Sequence, residues 1–389
     1  MSRITAWTAP LVLLLAAGSP LAAAGGGREV RIEAPDGVAL AATYWNPGRP
    51  GPGILLLHMC NSDRSAWNGL GEKLAARGFH ALALDYRGFG QSGGVREKDP
   101  AEQQKIVTGK WPGDVDAAFA FLTAQPGVAQ EPVGAAGGSC GVNQAVQLAR
   151  RHPQVRSLVL LAGMTNRAGE DFLDANPWLP LLASAARDDD GMVPAMRWVL
   201  GFSTNPANRF LEYATGGHGT QLFAVHAELE PAIVDFFAEH LVRHPPLVVP
   251  AVAAGRSPSA ALRDQVGAPG AALRLRQALA AAKSPAERPQ LPPEGVVNLL
   301  GYTRLQDGDA RGAIELFELN LAAHPESANT HDSLADGYLA LGDRARAREH
   351  ARGAVAALAG DPNQDAAYQK AIRAAAEEKL RQLDAPAAP

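Results

Sequence analysis

From residue 28 to 45 apolar and polar side chains alternate around Pro35-Asp36-Gly37, a pattern that predicts a β-hairpin. A short all-apolar run, Gly53-Ile54-Leu55-Leu56-Leu57-His58, follows a Pro/Gly cluster and reads as a buried strand. Apolar residues at helical spacing fill 66–77 and stop at Gly78, and Phe79 to Asp85 is a second buried run. The alternation continues with a helix over 113–124, a strand from Val133 to Gly138, and a helix from Asn143 to Arg151. Val155 to Leu161, Leu179 to Ala186 and Phe210 to Tyr213 read as further strands, and 222–243 as one long amphipathic helix. Strands alternating with helices imply a mostly parallel sheet with helices on both faces, an α/β architecture.

Past His244-Pro245-Pro246 the strand pattern ends and alanine-rich helical spacing replaces it. Residues 246–293 read as a linker holding one helix near 271–283. From 294 a 34-residue period emerges: Leu300, Gly308, Ala313 and Phe317 recur as Leu334, Gly342, Ala347 and Ala351. Pro325 closes the first unit and Tyr338 lies in the second; a last helix spans 366–382. These features resemble the tetratricopeptide repeat, whose paired helices touch through small residues and serve as protein-binding surfaces. Two units fall short of the roughly three needed for independent stability, so the flanking helices cap them or the pair docks on the preceding domain.

The N-terminus changes the reading of the first residues. Arg3, the apolar run centred on Leu11-Val12-Leu13-Leu14-Leu15 and the small residues Ala22-Ala23-Ala24 have the layout of a secretory signal peptide. The run from Ala9 to Ala24 is interrupted by Gly18 and Pro20 and is short against the ~20 residues of a membrane span. The expected organisation is a signal peptide over 1–24, an α/β domain over 25–245, the linker 246–293 and helical repeats over 294–389. Export implies a secreted or periplasmic protein without a stable membrane anchor.

Composition narrows the function classes. Of 389 residues, 47% are hydrophobic and 20% charged, values of an ordinary globular protein. Lys plus Arg is 36 against 40 Asp plus Glu, so no excess of base exists to neutralise a phosphate backbone and nucleic acid is not an expected partner. No phosphate-binding loop or metal-ligand cluster stands out, and no cofactor or metal is expected. His240 and His244 are four apart, but Leu241 stands where a zinc-protease helix carries its Glu.

Gly137-Gly138-Ser139-Cys140-Gly141 fits G-x-S-x-G, with a strand running into it and a helix out of it. That context makes Ser139 the candidate nucleophile on a sharp strand-to-helix turn. A serine hydroxyl needs a base and the base an acid, in the chain order Ser, Asp/Glu, His. His218 in Gly216-Gly217-His218-Gly219 lies between the last strand and the last long helix, where the base belongs; His226 is the weaker alternative. Asp188-Asp189-Asp190 follows the preceding strand. Asp190, nearest the Gly191-Met192-Val193-Pro194 segment, is selected as the acid; Asp188 and Asp189 stay open, as does a bland role of the three as a solvated turn and helix cap.

With these residues in view, 28–244 resembles the α/β-hydrolase superfamily, nearest its dienelactone-hydrolase-like and prolyl-oligopeptidase-like branches. The match rests on Leu56-Leu57-His58, Leu84-Asp85-Tyr86-Arg87-Gly88-Phe89-Gly90-Gln91-Ser92, the Ser139 elbow, Asp190 and His218. The resemblance implies hydrolysis of an ester or amide through an acyl-enzyme. It also implies an oxyanion hole built from the backbone N–H of Cys140 and of Cys60, with Met59 N–H as the fallback donor. Met59 stands where many relatives have glycine.

The only two cysteines therefore occupy the two expected donor positions. Either they cross-link, which needs Cα atoms roughly 4.4–6.8 Å apart, or they pack as small buried hydrophobes. A nucleophilic Cys140 does not fit, because the glycines flank Ser139 symmetrically. Asp63, Arg64 and Trp67 are candidates for substrate contact or for capping the next helix. Asp85 and Arg87 are expected to pin the turn after their strand, and Asp114 to sit at a helix start. Met164, Phe172, Trp178 and Met192 are candidate pocket linings. Only 17 residues separate Leu161 from Leu179, leaving no space for an inserted lid domain, so an open pocket for small or polar acyl substrates is expected. The main reading is a serine hydrolase, more esterase than peptidase; the alternative is a silent hydrolase-fold scaffold whose helical tail binds a protein.

Overall fold

The computed structural model describes residues 26–189, 191–246, 256–363 and 366–384. The expected signal peptide over 1–24 lies outside the described residues.

The N-terminal two-thirds of the chain forms an eight-stranded sheet of order β1-β2-β4-β3-β5-β6-β7-β8. The hairpin expected around Asp36 is β1 (Arg28–Glu33) and β2 (Ala39–Trp45), paired antiparallel, and β2 runs antiparallel to β4. β3 (Gly53–Leu57), β4 (His80–Leu84), β5 (Val133–Gly138), β6 (Val155–Leu161), β7 (Leu181–Ala186) and β8 (Arg209–Tyr213) are mutually parallel. β3, β4, β5 and β7 are buried along their whole length, which is why they read as nearly continuous apolar runs, broken only by His80 and Ser184, rather than alternation.

Helices cover both faces. α1 (Asn68–Arg77) ends at Gly78 with φ +106°, then α2 (Pro100–Gly109), α3 (Trp111–Thr123), α4 (Cys140–Arg151), α5 (Arg167–Ala175) and α6 (Met192–Leu200) follow. The apolar stretch 222–243, expected as one helix, is broken into α7 (Leu222–Val225), α8 (Leu229–Ala238) and a π turn over Glu239–Arg243. Pro231 gives the reason: it fits the first turn of α8, but in a continuous helix its ring would meet the carbonyl of Ala227. α2, α5 and α6 add to the elements expected from the sequence.

The region expected as a one-helix linker holds two helices, α9 (Pro258–Gly267) and α10 (Ala271–Ala281). Two helical hairpins follow: α11 (Glu294–Gln306) with α12 (Ala310–Ala323), and α13 (Ala328–Leu341) with α14 (Arg344–Ala357). The 34-residue period is visible in the backbone. Gly308 and Gly342 both end a helix at positive φ, +80° and +84°. Asp309 and Asp343 then cap the next helix through the N–H of Gly312 and Arg346. Ala313 and Ala347 are fully buried where the paired helices meet. α15 (Ala366–Asp384) closes the stack, with Leu383 in the hairpin core and Lys379 bonded to Asp332 at 2.8 Å.

α9 binds the helical part to the α/β part. Arg263, 2% exposed, donates to Glu170 and Asp171 of α5 at 2.6 Å each, and its guanidinium lies over the Phe202 ring. Ser257 N–H donates to Asp174, and Ser259 Oγ to the Trp198 carbonyl. Ala260 and Val296 share one buried cluster with Met196, Trp198 and Phe202. The tail is thus fixed against α5 and α6, beside the loops that leave the carboxyl ends of β6 and β7.

Candidate active site

Ser139 sits between β5 and α4 with φ +52° and ψ −119°, a conformation L residues other than glycine and asparagine rarely adopt. Its neighbours permit it. A Cβ on Gly137 would strike the Gly141 carbonyl, and one on Gly141 would strike the Leu57 carbonyl. A Cβ on Gly163, just past β6, would meet the Ser139 carbonyl. The Ser139 N–H donates to Leu161 O and its carbonyl accepts from Val142 N–H, each at 2.9 Å, so the strained turn is over-determined by its surroundings. This geometry lifts a serine hydroxyl clear of the sheet's carboxyl edge, the arrangement of a nucleophile elbow.

His218 lies in the loop between β8 and α7, with a side chain 31% exposed. Its Nδ1 bonds Asp189 Oδ2 at 2.7 Å. The carboxylate facing His218 is thus Asp189, one residue before the Asp190 selected from the sequence; Asp190 itself lies outside the described residues. The reason is the turn after β7, in which Asp189 N–H donates to Ala186 O and Met192 N–H to Asp189 O, a tight fold-back that aims the Asp189 side chain at the His218 loop. Asp188 does a different job: its two oxygens accept from the N–H groups of Gly216 and Gly217 at 2.9 and 3.1 Å and pin that loop. His218 N–H donates to Gln221 Oε1 at 2.8 Å. Asp188 and Gln221 as positioning residues were missed in the sequence. The signal for Gln221 was there, since a Gln three residues after a helix-capping position reaches back to the cap N–H.

The His218 loop rests on the elbow. Gly138 has Thr220 side-chain and backbone atoms within 4 Å of where its Cβ would be, and Met59 is the next neighbour. A Cβ on Gly219 would press on Met59 sulfur. Met59 is 5% exposed, and the bare faces of Gly138 and Gly219 leave space for its side chain where relatives need glycine.

Cys60 and Cys140 form a disulfide, with Cα atoms 5.8 Å apart. The bond joins the loop after β3 to the first residue of α4, the two expected oxyanion donors. The N–H of Cys140 belongs to the first turn of a helix, where amides have no intrahelical acceptor and the dipole favours negative charge. Arg96 donates to the Cys60 carbonyl at 3.2 Å and stacks on Phe89, a further hold on this loop.

The remaining histidines near the sheet edge are structural. His58 is fully buried; its Nδ1 donates to Met59 O at 2.7 Å and its Nε2 accepts from Tyr86 N–H at 3.2 Å, which defines one neutral tautomer. Burial pushes its pKa down, against the hydrogen bond to Met59. His80 accepts from Tyr44 OH at 2.6 Å and donates to Arg49 O. His226 stacks on Tyr213 and bonds the Thr215 carbonyl.

Asp63, Arg64 and Trp67 also resolve to structure. Asp63 caps a short turn through Ser65 N–H, Arg64 pairs with the fully buried Asp85, and Trp67 is buried. Arg87 grips Asp114 and Asp36 together. Its hydrogen bonds hold the Asp36 carboxyl well below the usual range, while burial raises that of Asp114 against the same guanidinium. Of the candidate pocket linings, Phe172 and Trp178 pack on the main core. Met164 and Met192 line a cavity of about 630 Å³ between α6 and the helical hairpins. Between β6 and β7 lies only α5, so the wall opposite α6 comes from the tail. Among the described residues no group of three or more His, Cys, Asp or Glu gathers to hold a metal.

A family model described as serine aminopeptidase, S33, matches residues 49–188. No curated protein matches the chain. Among solved structures, the esterase Pf2001 of Pyrococcus furiosus is 18% identical over 55% of this chain and 93% of its own, with a TM-score of 0.45. TT1662 of Thermus thermophilus is 18% identical over 55% and 97%, at 0.43. Est1E of Butyrivibrio proteoclasticus, solved with ferulic acid bound, is 18% identical over 54% and 98%, at 0.43. Family match, strand order and elbow together make residues 28–243 an α/β-hydrolase fold.

Proposed function

We propose that the protein is an exported serine hydrolase that cleaves an ester through an acyl-enzyme on Ser139. The observation that carries this reading is the bond between His218 Nδ1 and Asp189, in a loop packed directly on the elbow. The proposed roles are those of a serine–histidine–carboxylate triad. His218 Nε2 takes the Ser139 proton as the hydroxyl attacks the ester carbonyl, and later returns it to the leaving alcohol. Asp189 keeps Nδ1 protonated and stabilises the imidazolium without itself taking the proton. The N–H groups of Cys140 and Cys60 receive the charge that develops on the carbonyl oxygen. A water then repeats the sequence on the acyl-enzyme.

Export rests on the signal-like residues 1–24 and agrees with a disulfide, which persists in oxidising compartments. The two 34-residue hairpins are read as tetratricopeptide-like. Their fixed seat against α5 and α6 favours a part in the enzyme over a tail that only recruits a partner.

The test is covalent labelling. A fluorophosphonate should label the folded chain at Ser139 and p-nitrophenyl acetate should be hydrolysed; Ser139→Ala should lose both. Absence of labelling in the folded wild-type chain would return the protein to a scaffold role.

A further inference from the structure

The cavity of about 630 Å³ between α6 and the helical hairpins lies within the range of about 300–1,000 Å³ of small-molecule pockets. Its α/β wall comes from the loops after β6 and β7, the second of which also carries Asp189. Met164 follows Gly163, whose Cα abuts the Ser139 carbonyl, and Gly191 and Met192 stand just past Asp189 on the turn that aims its carboxylate. Its opposite wall comes from the tail, with Val296 and Leu299 of α11 facing across. Leu299 is 48% exposed, a large apolar side chain left at the cavity edge. The two walls are held in register by the buried Arg263–Glu170 pair, so the cavity is a fixed feature of the fold.

Its chemistry is uneven. Methionine, valine, leucine and proline make one part; Glu294, Glu326, Asp361 and Tyr368 make another. Among the described residues lining it there are three carboxylates, the imidazole of His324 and no Lys or Arg. Two of the carboxylates are held by hydrogen bonds within the tail, and Asp361 also accepts from the Tyr368 hydroxyl. Glu294 accepts from Ser327 Oγ and Asn329 Nδ2, and Asp361 from the N–H groups of Ala328 and Asn363. Burial, helped by the charges of Asp361 and Glu294, pushes the Tyr368 phenol pKa up, so its ring stays neutral beside them. Fixed carboxylates beside a neutral aromatic ring attract an ammonium group and repel an anionic one.

We propose that this cavity selects the substrate of the Ser139 centre, taking an acyl group with an apolar stem that ends in an ammonium. The proposal rests on the serine-hydrolase reading and departs from the expectation of a small acyl group in an open pocket. The stem lies along Met164, Met192, Val296 and Leu299, and the cation ends among Glu294, Asp361 and Tyr368. The helical tail is then the specificity wall of the enzyme.

The test uses the full chain and two isosteric substrates at low salt, p-nitrophenyl 6-(trimethylammonio)hexanoate and the neutral p-nitrophenyl 7,7-dimethyloctanoate. The cationic ester should show about tenfold higher kcat/KM. Glu326→Gln and Glu294→Gln should each lower that ratio, and added salt should do the same. Leu299→Trp should lower kcat/KM for both esters by narrowing the cavity. Fluorophosphonate labelling separates the two levels of the argument. A chain that labels at Ser139 but treats the two esters alike, or keeps its preference in both Glu variants, overturns the cavity assignment alone. A folded chain that neither labels nor hydrolyses either ester overturns the serine-hydrolase reading beneath it.

Discussion

Asp188 and Asp189 are adjacent carboxylates with different work: one accepts two backbone N–H groups and the other holds an imidazole. Among the described residues Asp189 is the carboxylate bonded to His218 Nδ1, so Asp189→Asn should lower kcat by about 10³–10⁴-fold, the size expected when the tautomer is lost. Steady-state kinetics of the same change at Asp190 decide the assignment: a large loss there with little at Asp189 would reinstate the acid chosen from the sequence. The disulfide gives a second residue-level prediction. It clamps two donors that must converge on one oxygen, and a lost donor is worth about 10²–10³ in kcat. Mild reduction followed by alkylation should therefore lower kcat by ten-fold or more, with a smaller change in KM. Mass spectrometry of the alkylated chain gives the extent of opening; full activity with both thiols blocked would remove the clamp from the mechanism.

Elements carry the next level of organisation. The α9 helix has a weak apolar pattern, yet it anchors the tail because Arg263 is buried with its two terminal nitrogens on Glu170 and Asp171. Removing one partner of such a pair leaves the other charge buried and costs about 3–5 kcal/mol, whereas replacing both by apolar groups is often near neutral. Arg263→Met should accordingly lower the urea midpoint strongly, and Arg263→Met with Glu170→Leu should recover most of the loss. Equal midpoints for wild type and the single variant would mean that the pair contributes nothing to docking. The same element explains why the boundary near 246–293 read as a linker: a charge-anchored helix lacks the apolar stripe by which helices are recognised.

Over the whole molecule, histidines dominate the response to mild acid. His58, His80, His240, His331 and His350 all have pKa values pushed below the ordinary 6.5, in each case first by burial. The unfolded chain therefore binds more protons below about pH 6.5 than the folded one, so stability falls as pH drops through that point. Carboxylates with lowered values, among them Asp36, Asp63 and Asp171, add their loss only in stronger acid. Thermal midpoints measured from pH 5 to 8 should rise by about 3 °C or more up to pH 7 and then level off. A flat profile between pH 5 and 7 would mean that these rings are solvated enough to protonate in place.

The parallel sheet could be read from the chain alone because a strand buried on both faces must be almost wholly apolar, and β3, β5 and β4 past His80 are. The elbow could be read because its steric demands, two glycines around a serine between strand and helix, are local. The 34-residue period was equally local, since Gly308 and Gly342 each end a helix in the left-handed region. What remained hidden depends on distance in space rather than along the chain. Which of three consecutive aspartates meets His218 is decided by a turn and a loop that converge from residues 29 apart. Whether Cys60 and Cys140 join depends on two loops separated by 80 residues arriving together. A tail that walls the sheet's edge could be expected from the sequence, but which residues face the cavity needed the docking of α9, because a patch of Met, Val, Leu and Glu has no local spacing that announces a pocket until two surfaces face each other.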